Sequence, residues 1–122
     1  MLGYLSSVLR EHAKTALRSD QWPTLRDHFV KEHPLCAACG SVKRLQVHHI
    51  KPFHLFPTLE LDPANLIVLC MDVNECHLKI GHGSSFRSFD KNVVADAAEF
   101  RAASPPHRLA IQMRAKDMRI IV

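Results

Sequence analysis

The chain has 122 residues, 47% of them apolar and 23% charged, with a formal net charge of +4 and a pI near 9.1. That size and balance suit one globular domain able to bury a modest core. They exclude a disordered polyelectrolyte, and no apolar run is long enough to span a bilayer. The mild basicity is compatible with a polyanionic partner.

Residues 2–18 carry Leu5, Val8, Leu9, His12, Ala13, Ala16 and Leu17 at helical spacing, with Arg10, Glu11, Lys14 and Arg18 between them. This predicts an amphipathic helix that packs on the domain or on a second copy. Arg10, Glu11 and Lys14 also interrupt any secretory apolar segment, so a cytoplasmic location with reduced thiols is expected. Ser19-Asp20-Gln21-Trp22-Pro23 supplies stop and start signals. A second helix follows from Thr24 to about Glu32, with Trp22, Leu25, Phe29 and Val30 facing inward and Pro34 ending it.

The period then changes. Arg44 to Ile50 alternates as a strand, stopped by Pro52. Residues 51–64, with three prolines and two phenylalanines, read as a long compact loop of the kind that is commonly functional. Leu66–Leu69 reads as a short buried strand. Antiparallel pairing of the two strands brings His49 and Cys39 near Asn65 and Cys70. A short helix starts near Asn74 or Glu75 and is broken by Gly81 and Gly83. Ser84 to Lys91 is a polar loop, and Val93–Ala103 is a further helix ended by Pro105-Pro106. The tail from His107 supports either a strand, through alternating Leu109, Ile111 and Met113, or a helix over Arg108–Arg119. The expected organisation is one domain over 1–122: N-terminal helices over 1–33, a core over 34–83, and a C-terminal helical extension over 84–122. No internal repeat or low-complexity tract is present.

All four cysteines and five of the nine histidines fall between Cys36 and His82. Cys36-x-x-Cys39 followed by Gly40 is a turn that aims two thiolates at one tetrahedral ion, and Cys70 and Cys76 are the only candidates for a second pair. In a reducing compartment this predicts a structural zinc site rather than disulfides. A redox Cys-x-x-Cys would need a βαβ setting that is missing. A second cluster is formed by the doublet His48-His49, by His77 beside Cys76, and by Gly81-His82-Gly83. Strand alternation would point His48 and His49 to opposite faces, so both serve one site only if the strand end is irregular. Neighbours Cys76 and His77 diverge by about 100° on a helix and so can serve two different metals.

With His49, Asn65 and His77 in that order, bracketed by the cysteines, the stretch from Pro34 to His82 resembles the HNH nuclease family. Its flanks are more weakly similar to the phage-associated and bacterial branch. The resemblance implies an α+β fold: a small ββα-metal (His-Me finger) core with zinc-binding cysteines, flanked by N- and C-terminal helices. It implies a metal-dependent DNA endonuclease, with His49 as general base, Asn65 bracing the loop, and His48 and His77 as ligands of one divalent cation (Mg²⁺, Mn²⁺, Ni²⁺ or Zn²⁺). Products with a 5′ phosphate and a 3′ hydroxyl are typical of the family. Two departures stand out. Met71–Glu75 separates Cys70 from Cys76, where the family has Cys-x-x-Cys-His. His82 lies five residues after His77, about 140° away on an ideal helix, and joins the ligands only if Gly81 ends the helix first. His54 in the loop is a further, weaker ligand candidate.

Phosphate contacts are expected from Lys51, Lys79, Arg87 and Lys91, each of which also reads as an ordinary surface charge. The implied partner is double-stranded DNA bound with weak sequence specificity, with a phage or mobile-element protein as a further partner. Two other functions fit the same residues. One is a non-catalytic zinc module that binds nucleic acid, against which His49 and Asn65 argue because zinc needs neither. The other is a partner-dependent accessory of phage DNA packaging.

Overall fold

The computed structural model describes residues 17–122. The amphipathic helix expected over 2–18 lies outside the described residues except for its last two positions. Helix α1 spans Trp22–Glu32, with Pro23 in its first turn, where the missing N–H costs nothing. Trp22 and Phe29 are buried on one side, with Leu25 and Val30 partly buried beside them. Its C-terminus closes as His33 donates its backbone N–H to the Phe29 carbonyl, immediately before Pro34.

Strands β1 (Leu45–His49) and β2 (Leu66–Cys70) form an antiparallel hairpin. Leu45 stands opposite Cys70, and His49 opposite Leu66. The ladder continues past both ends: Ile50 N–H donates to the Asn65 carbonyl and Met71 N–H to the Arg44 carbonyl. The long connection between the strands is compact, as expected, and holds two short 3₁₀ turns, Pro57–Leu59 and Pro63–Asn65. The second is capped by the Asp62 carboxylate, which accepts from Ala64 N–H at 3.0 Å.

The period of two along β2 sorts the core. Leu66 and Val68 join Val47, Trp22 and Phe29 in one cluster. Ile67 and Leu69 face the other, built from Ile80, Val93, Ala97, Phe100, Ile111 and three of the cysteines. After the hairpin comes a single π-helical turn, His77–Gly81. Helices α2 (Val93–Ala102) and α3 (Pro105–Met118) then form an antiparallel pair that seals the second cluster through Phe100, Ile111 and Ala115. Arg114 ties the pair together, donating to Asp96 at 2.7 Å and reaching Glu99.

The tail resolves as a helix. Pro105 and Pro106 do end the preceding helix, but they also occupy the first turn of α3. Ile111 and Ala115, four residues apart, are buried while Leu109 and Met113 are exposed, so the alternating apolar pattern carried no strand. The last residues do form a short strand: β3 (Ser88–Phe89) pairs antiparallel with β4 (Ile120–Ile121), so the C-terminal extension is helical but not wholly so. Val122 N–H donates to the Arg87 carbonyl beyond that pair. Helices thus flank a small mixed core on both sides. No helix among the described residues is long and apolar enough to cross a membrane.

Candidate metal and catalytic centre

Two groups of metal-binding side chains lie on either side of the peptide bond joining Cys76 to His77. In the first, the Sγ atoms of Cys36, Cys39, Cys70 and Cys76 all lie within 4.8 Å of one another. Zn–S bonds of about 2.3 Å in a tetrahedron would put the sulfurs about 3.8 Å apart, so the four donors are arranged for one ion. The Cys36–Cys39 turn is closed by Gly40 N–H donating to the Cys36 carbonyl at 2.9 Å. Gly40 adopts φ +79°, a left-handed conformation that a side chain would resist. Cys70 comes from the end of β2, and Cys76 immediately precedes the π-helical turn.

The lengthened Met71–Glu75 segment does not prevent this closure. Glu75 takes φ +45° and donates its N–H to the Asp72 carbonyl, while Ser41 Oγ donates to the Asp72 carboxylate at 2.9 Å. The segment therefore folds back and returns Cys76 to the other three. All four thiols are free and three are buried. A hydrogen bond from the Cys76 thiol pulls Cys36 down to about 4, while the proton-holding Cys76 is pushed up, and burial pushes Cys70 up. A bound cation would replace those shared protons and let all four sulfurs act as thiolate donors.

The second group is His48, His77 and His82, each offering one ring nitrogen within 4.8 Å of the others. Their ring centroids lie 4.7–5.0 Å apart. The π-helical turn explains the participation of His82. Its backbone N–H donates to the His77 carbonyl five residues back, at 3.0 Å. An α-helix would leave these two side chains about 140° apart, whereas the wider i→i+5 turn stacks them on one face. The turn does end at Gly81, with His82 as the residue that caps it. Gly81 contributes in a second way: a Cβ there would lie 3.2 Å from His48 Nδ1 and 3.1 Å from Leu69 Cδ1, so its bare backbone allows His48 to approach.

Hydrogen bonds fix the tautomers. His77 Nδ1 donates to Gln46 Oε1 at 2.7 Å, and His82 Nδ1 donates to the Ser88 carbonyl at 2.8 Å. Both Nε2 atoms then carry lone pairs, 3.2 Å apart with no proton between them. His48 Nε2 is buried without any hydrogen-bond partner among the described residues. Burial, reinforced by its histidine neighbours, holds His48 well below the ordinary imidazole range, and burial takes His77 down to about 4. Burial also lowers His82, against the Ser88 carbonyl. Three neutral imidazoles with converging lone pairs fit a divalent cation better than any arrangement among themselves.

His49 stands apart from this trio. Its Nε2 donates to the Glu60 carbonyl at 3.0 Å, leaving Nδ1 as the unprotonated nitrogen. Its ring packs against Trp22 with centroids 4.5 Å apart, and burial lowers its pKa against the opposing pull of the Glu60 carbonyl. His48 and His49 do point to opposite sides of β1, yet the strand pairs regularly through His49. Both nonetheless line one cleft. This cleft, of about 390 Å³, is lined by His48, His49, His54, His77, His82 and Phe86 among others. Strand irregularity is therefore not needed.

Asn65 makes the contacts that hold this arrangement. Its Oδ1 accepts Lys51 N–H at 2.8 Å, and its Nδ2 donates to the carbonyls of Lys51 and Leu59 at 3.1 and 3.3 Å. It thus clamps the loop that carries Glu60 to the strand that carries His49. Of the four expected phosphate contacts, Lys79 pairs with Glu75 at 3.7 Å and Lys51 lies over the Phe56 ring, while Arg87 and Lys91 are exposed. None of the four lines the cleft. Gln46, Glu60 and Ser88, which support the histidines, went unnoticed in the sequence, where a lone glutamine in a strand or a backbone carbonyl carries no signal.

The Gln46 contact has a measurable consequence. Gln46→Ala removes the acceptor that fixes the His77 tautomer and is expected to weaken divalent-cation binding by about 10–100-fold, read by calorimetric titration of the protein. Unchanged affinity would mean that His77 is oriented by packing alone.

Searches of the curated proteins and of the solved structures found no match. The model of the HNH endonuclease family, in contrast, matches residues 36–83. Both donor clusters, His49 and Asn65 fall inside that interval, so the match to the HNH endonuclease model and the two clusters coincide on residues 36–83.

Proposed function

We propose that this protein is a metal-dependent DNA endonuclease. The observation that carries the reading is the division of labour among four histidines lining one cleft. Three converge lone pairs on one point, and the fourth, His49, is tethered through Nε2 so that Nδ1 is left free. In this reading His48, His77 and His82 hold one divalent cation, and Cys36, Cys39, Cys70 and Cys76 hold a structural zinc, the ion suited to four thiolates. The bound cation would supply electrostatic stabilisation of charge developing on the phosphate and on the leaving oxygen.

The residues of the chain do the rest. His49 Nδ1 accepts the proton of a water whose oxygen bonds to phosphorus, while the bond from phosphorus to the leaving 3′ oxygen breaks. Glu60 holds the ring by accepting from Nε2–H, so the proton enters at Nδ1 and at no other atom. Asn65 keeps the Glu60 loop in register with β1 and acts as a positioning residue. Lys51, Lys79, Arg87 and Lys91, outside the cleft, would bind flanking phosphates at most.

Purified protein tests this reading on supercoiled plasmid with Mg²⁺, Mn²⁺ or Ni²⁺, and with EDTA. Cation-dependent conversion to nicked circles is expected. Plasmid that is bound but intact with every cation would favour a zinc-containing nucleic-acid-binding module, or an accessory that needs a partner.

The pH dependence has a definite sign. Burial lowers the His49 pKa, so the neutral base persists below the usual imidazole value of about 6.5 and is lost only at more acid pH. The acid limb of single-turnover nicking at saturating cation should therefore have its midpoint below about 6.5. A midpoint above that value would argue against His49 as the base.

A further inference from the structure

His49, His77 and His82 each spend one ring N–H on a carbonyl or amide oxygen, and His48 Nε2 has no hydrogen-bond partner among the described residues, so these residues bring lone pairs to the cleft. Among the described lining residues Arg18 is the one lysine or arginine. A phosphodiester in this cleft therefore meets one permanently charged cation among the described residues, Arg18.

Arg18 is held for such a contact. Its Nη1 donates to Glu60 Oε2 at 3.2 Å, and its guanidinium carbon lies 4.3 Å from the Phe53 ring centroid and 5.4 Å from that of Trp22. Ser19 N–H donates to the other carboxylate oxygen at 2.9 Å. Only one of the five guanidinium N–H donors is engaged by a described residue, and the Arg18 side chain remains 48% exposed. Glu60 itself is buried, and an isolated carboxylate there would be costly. It is a two-ended connector, with its carboxylate gripping Arg18 and Ser19 and its backbone carbonyl gripping His49 Nε2. The Trp22 ring lies between the same two groups, against His49 on one hand and Arg18 on the other.

We propose that Arg18 binds the reacting phosphate in this cleft, and that Glu60 positions Arg18 and His49 together, setting the spacing between the phosphate anchor and the base. The inference rests on the nuclease reading above. In the sequence Arg18 is one of four charges on the polar side of the amphipathic pattern over residues 2–18, and nothing there sets it apart.

The test uses full-length protein carrying its metals and two substrates, supercoiled plasmid and the small diester bis(4-nitrophenyl) phosphate. Arg18→Ala should lower kcat on both by about 10²-fold, as loss of one donor to a developing charge typically does. KM for plasmid should change little. Arg18→Lys, which keeps the charge but not the planar fork, should recover part of the loss. Glu60→Gln retains the carbonyl that holds His49 and should give a smaller kcat loss than Arg18→Ala. If Arg18 only ties residues 18 and 19 to the loop, Arg18→Ala and Glu60→Gln would lower the melting temperature and leave small-diester kcat at the wild-type value, overturning the proposal. Loss on plasmid alone would also overturn it, by assigning Arg18 to flanking strand. A wild type inactive on both substrates with every cation would sink the nuclease reading and this proposal together. An active wild type with an equally active Arg18→Ala sinks only the proposal.

Discussion

His49→Ala should lower single-turnover nicking by about 10²–10⁴-fold, the usual contribution of a positioned general base, while cation binding and DNA binding persist. Selectivity is expected because the substitution touches none of the seven donors of the two metal groups. It removes a ring packed on Trp22 and the donor to the Glu60 carbonyl, so some stability will be lost as well. Circular dichroism and zinc content, measured on the same preparation, separate that loss from a chemical one. An intact rate in the folded variant would move the proton acceptor elsewhere. His54 is the other imidazole lining the cleft outside the ligand trio and would be next to replace.

The second large effect concerns the thiols. Cys76→Ser, or extraction of the ion by a strong chelator, should unfold the hairpin region rather than merely loosen it. Apparent binding free energies of structural zinc reach about 10–16 kcal/mol in small zinc modules, comparable with the whole stability of a typical domain. Here the four sulfurs join the segment before β1, the end of β2 and the start of the π-helical turn, and three of the four belong to the main buried cluster. The expected readouts are loss of bound zinc, loss of the cooperative thermal transition, and loss of nicking although every histidine is intact. A Cys76→Ser protein that melts as the wild type does would show that apolar packing through Phe100, Leu69 and Ile80 is sufficient without the ion.

The sequence announced residue types more clearly than it announced geometry. Cys36-x-x-Cys39-Gly40, the doublet His48-His49 and the isolated Asn65 could be picked out because each is unusual in its local setting. The hairpin followed from alternation and α1 from its apolar spacing, and both stand as expected. The end of the turn at Gly81 was legible, but its π-helical form was not, since a π-helical turn has no composition of its own. Ile80 within it is buried with Leu69, Phe100 and Ile111, contacts with distant parts of the chain, while Ser84 N–H bonds back to the Leu78 carbonyl just beyond it. The helical tail was ambiguous for a related reason. Only Ile111 and Ala115 of α3 are buried, too narrow a stripe to stand out against exposed Leu109 and Met113. Arg18 and Glu60 were unreadable because an ion pair between residues 42 positions apart has no pattern along the chain.

Cys76 and His77 are consecutive, so one peptide unit joins the two donor clusters. Whatever fixes the dihedral angles of that unit from the sulfur side also reduces the number of backbone states the imidazole trio must restrain, and the converse holds equally. Were both clusters to hold ions, thermodynamic linkage would require any coupling between them to be reciprocal: a filled cysteine site that tightened the histidine site would be tightened by it by the same factor.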